Sequence, residues 1–128
     1  MVKHGYKQTE IGMLPESWDV ITFEDCFSIL PNNTLSRAEL NYNDGDVRNI
    51  HYGDILVKFA AVLDCAIESL PYINTESTAK ASKGFLRDGD LIMADTAEDV
   101  IVGKSTEVIG VGESKVVSGL HTIPCYRI

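Results

Sequence analysis

Cysteine is scarce in this sequence. The three that occur, Cys26, Cys65 and Cys125, are far apart, and none forms a Cys-x-x-Cys pair. Neither a zinc site nor a disulfide framework is expected, and the thiols are read as buried and reduced. Long apolar runs are missing as well. No stretch approaches the roughly 18 residues that a membrane helix needs. The start, Met1-Val2-Lys3-His4-Gly5-Tyr6, lacks the apolar core of a signal peptide. The expectation is a cytoplasmic protein with no membrane partner. No Gly-x-x-x-x-Gly-Lys-Ser/Thr phosphate loop and no dinucleotide fingerprint occurs, so no cofactor is expected. Positive charge is also short: 11 Lys and Arg stand against 19 Asp and Glu, a net charge of −8. Affinity for nucleic acid that ignores sequence comes from neutralising phosphates. A chain this acidic gains little of it, so any nucleic-acid role must rest on locally basic loops or on other chains that grip the backbone.

What is present is an ordinary globular composition. The 128 residues suffice for one domain, and a 45% hydrophobic share argues against disorder. Residues 1–10 are polar and unpatterned and are read as a flexible segment. Gly12 and Pro15 mark a turn, with Trp18 as apolar anchor and a short strand over 19–21. Thr22 and Asp25 form a weak capping pair, and Phe23, Cys26, Phe27 and Leu30 recur at helical spacing up to Pro31. Ser36 with Glu39 opens a second helical turn before Asn43-Asp44-Gly45. Strands are expected over 47–51, 55–59, 90–94, 105–109, 115–117 and 121–126, which are apolar runs bounded by turn residues. Pro124 lacks a backbone donor, which places the last strand at a sheet edge or a bulge. Residues 69–82 are polar, include Pro71 and read as a long loop. Gly53-Asp54-Ile55-Leu56 is echoed by Gly89-Asp90-Leu91-Ile92, read as one turn type feeding two strands. The fold class is α+β: a twisted, mainly antiparallel, partly barrel-like sheet with one or two short helices.

Four segments carry a resemblance. Lys7-Gln8-Thr9-Glu10-Ile11-Gly12-Met13-Leu14-Pro15-Glu16-Ser17-Trp18 resembles an Ile-Gly-x-x-Pro-x-x-Trp lead-in. Asn49-Ile50-His51-Tyr52-Gly53-Asp54-Ile55 is similar to an Ile-His-Tyr-Gly-Asp-Ile segment. Leu86-Arg87-Asp88-Gly89-Asp90-Leu91-Ile92-Met93-Ala94-Asp95 is similar to a strand entering an Asp-Ala-Ser-Glu-Asp stretch, here Asp95-Thr96-Ala97-Glu98-Asp99. Val116-Val117-Ser118-Gly119-Leu120-His121-Thr122 is similar to a Val-Val-Ala-Gly-Leu-His-Thr run. In this order they resemble the first recognition half of a Type I restriction–modification specificity subunit. The resemblance implies a fold like the DNA methylase specificity domain. It implies a non-catalytic chain whose residues 11–128 form one target-recognition domain reading half of a split DNA target. Methyltransferase subunits would flip and methylate adenine, a restriction and motor subunit would cut, and a homodimer is possible. Relative to that family, the long helices and the second recognition domain are not in this sequence.

Sequence reading requires polar side chains held at base edges, where a good bidentate contact discriminates by about 1–3 kcal/mol. The window 78–87 carries Lys80, Ser82, Lys83 and Arg87 with no acid, and is the first candidate for a DNA-facing loop. Its bland alternative is a solvated loop on the far face. Arg48, Asn49, His51, Tyr52 and Lys58 form a second candidate cluster, although for His51 the favoured reading is that it holds the Gly53-Asp54 turn. A motif shared by domains with different targets should be structural. That assigns Trp18, His51, Gly53, Asp54, Gly89, Asp90, Asp95, Gly119 and His121 to the scaffold, and it places target choice in 30–48 and 69–84. The carboxylates near Asp95 are read as a polar loop or a partner for His121, not as a metal or catalytic site. His121 and Cys125 lie about 13 Å apart at strand rise, too far for a nucleophile–base pair. A small hydrolase related to self-cleaving repressors is disfavoured because its Ser and Lys motifs are missing. An assembly or regulatory module that binds a methyltransferase subunit, or its own copy, without touching DNA is the principal rival.

Overall fold

The computed structural model describes residues 2–97 and 100–128. Eleven short strands and two short helices follow one another. They are β1 (Tyr6–Thr9), β2 (Gly12–Pro15), α1 (Phe23–Cys26), β3 (Phe27–Ile29), β4 (Leu40–Asn41), β5 (Val47–Ile50), α2 (Tyr52–Val57), β6 (Val62–Asp64), β7 (Tyr72–Ile73), β8 (Leu91–Ala94), β9 (Ser105–Ile109), β10 (Lys115–Ser118) and β11 (Thr122–Arg127). Two 3-10 segments, Arg37–Glu39 and Thr75–Ala81, complete the order. β1 and β2 form a hairpin, β10-β5-β7-β4 a four-stranded sheet, and β3-β11-β8-β9-β6 a five-stranded sheet. Among the described residues, only β10 with β5 and β6 with β9 run parallel. The class is therefore α+β and mainly antiparallel; the sheets are not closed into a barrel.

The apolar pattern explains this layering. Ile50 and Val116 of the four-stranded sheet meet Ile92 and Val108 of the five-stranded one in the main core, with Ile55 of α2 and Leu63 of β6. Val47 and Val117 project from the opposite face of the smaller sheet into a second core with Leu35, Ile73 and Ala81. Adjacent Val116 and Val117 are both buried because successive strand residues point to opposite faces, and here both faces are covered.

Several expectations are corrected. The helix expected to reach Leu30 stops after one turn. Thr22 caps it, accepting the Asp25 amide at 3.2 Å. Residues 27–29 then pair with β11, which satisfies more backbone groups than an isolated short helix can. The strand expected over 55–59 is replaced by α2, because the His51 ring accepts the Gly53 amide at 3.0 Å and starts a helix. The long loop contains β7 and a 3-10 segment whose Ser77 and Ala81 are buried. Residues 19–21 form no strand, and β6 was unforeseen. Tyr6–Thr9, within the segment read as unpatterned, is a strand. Its turn is held by Thr9, which bonds the Gly12 carbonyl at 2.6 Å, and by Gly12 at φ +122°. Trp18 is 59% exposed and belongs to neither of the two apolar cores, so it is not the anchor expected. Pro124 lies in an interior strand. Its carbonyl accepts the Leu30 amide, and the β3 ladder begins only at Cys125, where a donor is available.

Candidate functional site

Three of the four family-like segments meet at one corner of the molecule. The His51 ring stacks on Tyr52 with centroids 4.8 Å apart, and Tyr52 meets His121 edge-on at 5.3 Å. His121 Nδ1 lies 3.4 Å from Asp95 Oδ1, and the Asp95 amide donates to the His121 carbonyl. His121 is the one non-glycine at positive φ among the described residues, at 57°. The Gly119 amide donates to the Ile50 carbonyl, and a Cβ at Gly119 would stand 2.8 Å from that oxygen and from Asn49 Nδ2. A side chain there would therefore push two segments apart. Expected residues 98 and 99 of the acidic stretch lie outside the described residues.

The same corner fixes charge. His51 Nδ1 accepts a backbone proton, so its own proton belongs on Nε2. Burial pushes its pKa down, and the Arg37 guanidinium adds to this. Arg37 Nη2 donates to the buried carboxylate of Asp54 at 3.0 Å. Asp90 differs from Asp54 despite the shared Gly-Asp pair. It accepts the Arg87 amide at 2.8 Å at the entry to β8, and burial raises its pKa against that bond. Gly53-Asp54 opens a helix while Gly89-Asp90 opens a strand, so the reading of one common turn type is corrected. Ser118 and Thr122 share a buried hydrogen bond, and the Cys125 thiol donates to the Leu91 carbonyl at 3.5 Å. Burial raises Cys125 and lifts Cys65 to about 11, which keeps both as thiols.

The first basic candidates are brought together. Lys80, Ser82 and Lys83 line a cavity of about 250 Å³ with Pro31, Asn32 and Asn33. The two intervening segments, 30–48 and 69–84, thus share a wall. Gly84 holds them close: at φ +74°, its missing Cβ would stand 2.5 Å from the Pro31 carbonyl oxygen. Lys80 Nζ is paired to Glu39 Oε1 at 2.7 Å. That bond, with the Ser36 amide, pulls Glu39 down to about 2. Lys83 is exposed and has no ion pair among the described residues. Arg87 lies beyond, in a larger cleft of about 700 Å³.

The second basic cluster is dispersed. Arg48 Nη1 donates to the Cys65 carbonyl at 2.8 Å, and Lys58 Nζ lies 6.0 Å from the Tyr42 ring. Tyr52 belongs to the histidine corner. Asn49 is 1% exposed and accepts the Asn33 side-chain amide at 2.7 Å. It cannot reach a base edge, and its candidacy is corrected to a scaffold role. Phe85, Lys115, Tyr126 and Arg127 went unmarked in the sequence reading. The adjacent Tyr126-Arg127 pair was the available signal. Among the described residues, no group of three or more His, Cys, Asp or Glu is placed to hold a metal, and no helix is long and apolar enough to cross a membrane. Neither a known protein family's profile nor a curated protein matches the chain.

Proposed function

We propose that this chain is a target-recognition domain of a Type I specificity subunit, a non-catalytic DNA reader acting in the cytoplasm with methyltransferase and restriction subunits. One observation carries the reading. Three of the four segments that resemble the family gather at the His51–Tyr52–His121 corner as scaffold, and the segments between them, 30–48 and 69–84, line a common cavity with Lys80, Ser82 and Lys83. A shared scaffold with variable segments on one wall suits a module that changes targets without changing fold. On this reading the domain has the fold of the DNA methylase specificity family. Lys83 meets a phosphate, and Ser82 with Asn32 faces base edges. The net charge of −8 assigns most of the grip on the backbone to the partner subunits.

That same charge favours the second reading, an assembly module that binds a methyltransferase subunit or its own copy without DNA. A gel shift at low salt, with and without methyltransferase subunits, separates the two. A target-specific shift that needs both chains supports DNA reading. A complex between the chains with no effect on DNA leaves the assembly role.

A further inference from the structure

The cleft beside the Lys83 wall has a lining that the DNA-reading proposal does not use. We infer that it binds a nucleoside 5′-phosphate whose base carries an exocyclic amine, with the base between Phe85 and Tyr126, the phosphate on Arg87 and Arg127, and the amine on Glu107. Its volume of about 700 Å³ falls within the range of about 300–1,000 Å³ usual for small-ligand sites. Phe85 and Tyr126 line it and are 40% and 41% exposed, so each offers ring surface to solvent. Aromatic rings and arginines in the lining of one cleft suit a base joined to a phosphate, since stacking takes the ring and the guanidinium takes the anion. Lys115 Nζ already lies 6.0 Å over the Phe85 ring and adds positive charge nearby.

Three acids share the lining, and they decide the class of base. Asp90 is committed to the Arg87 amide, and Asp88 accepts the Val111 amide at 2.9 Å. Glu107 projects from β9, is exposed, and has no side-chain partner among the described residues. A free carboxylate at the base end accepts from an N–H₂ group, as on adenine or cytosine, and repels the carbonyl edge of thymine. The shared chemistry is an unstacked nucleotide, whether free or within a single strand. The site shares only Arg87 with the DNA-facing candidates, and its test with free nucleotides does not depend on the specificity-subunit reading.

The test is calorimetric titration of the intact chain with 5′-dAMP, 5′-dTMP, a short oligo-dA and an oligo-dT of the same length. The expected result is saturable binding of 5′-dAMP or of oligo-dA, with about tenfold weaker binding of the matching thymine ligand. Binding of 5′-dAMP assigns a free nucleotide, and binding of oligo-dA alone assigns a strand. Arg127→Ala and Tyr126→Ala should each weaken the bound ligand by about tenfold, and Glu107→Gln should narrow the base preference. Circular dichroism checks that each variant is folded. No binding of either adenine ligand at millimolar concentration would overturn the proposal, and so would binding that Arg127→Ala and Glu107→Gln leave unchanged.

Discussion

His51 caps a helix with a ring nitrogen that must stay unprotonated. Its pKa is lowered on folding, so the unfolded chain binds the extra proton first. The sign follows: its contribution is complete above the unfolded value of 6.5 and is lost as pH falls through the lower folded value. His51→Asn keeps a capping acceptor but does not titrate there. Urea unfolding across mildly acidic pH should show a flatter stability profile for this variant than for the parent. An identical profile would remove His51 from the account. Gly84 makes a sharper demand. Gly84→Ala combines left-handed strain with a clash on the Pro31 carbonyl and should cost about 1–3 kcal/mol in the same assay. A neutral result would mean that residues 31 and 84 part without penalty.

Among the elements, legibility depended on whether the signal was local. The strands at β5, β8, β9, β10 and β11 could be read because Val and Ile runs between turn residues state their own period. The caps at Thr22 and Ser36 were legible for the same reason: each acts within three residues. The hidden features were set by distant partners. Residues 27–29 became strand because β11 lies beside them, and Pro124 entered an interior strand because the β3 ladder starts one residue later. In the candidate site, the basic character of Lys80, Lys83 and Arg87 was visible. The burial of Asn49 was not, because Asn33 is 16 residues away in sequence. Ile92 is fully buried where β8 meets the main core. Ile92→Ala should cost about 2–5 kcal/mol, read from the urea midpoint at unchanged slope. Glu39 ties the 3-10 segment Thr75–Ala81 to the rest through Ser77 and Lys80. Glu39→Gln should speed amide exchange across that segment and leave β8 protected; uniform protection throughout would show that the tie is idle.

At the scale of the whole molecule, charge and proposed partner are opposed. A chain of net charge −8 is proposed to read a polyanion. On the proposed reading the resolution is a division of labour, with selection in this domain and most of the electrostatic grip elsewhere. Alone, the chain should therefore bind duplex DNA weakly, and with a shallow salt dependence, since few of its cations face phosphates. A steep dependence in fluorescence anisotropy would show that the acidic surface is no obstacle. The most direct measurement exchanges residues 30–48 and 69–84 for those of a domain with another target, reassembles the chain with methyltransferase subunits, and maps the methylated adenines. Methylation is expected to move to the donor's half-site. Methylation that stays at the original half-site in a folded, assembled complex would contradict that division of labour.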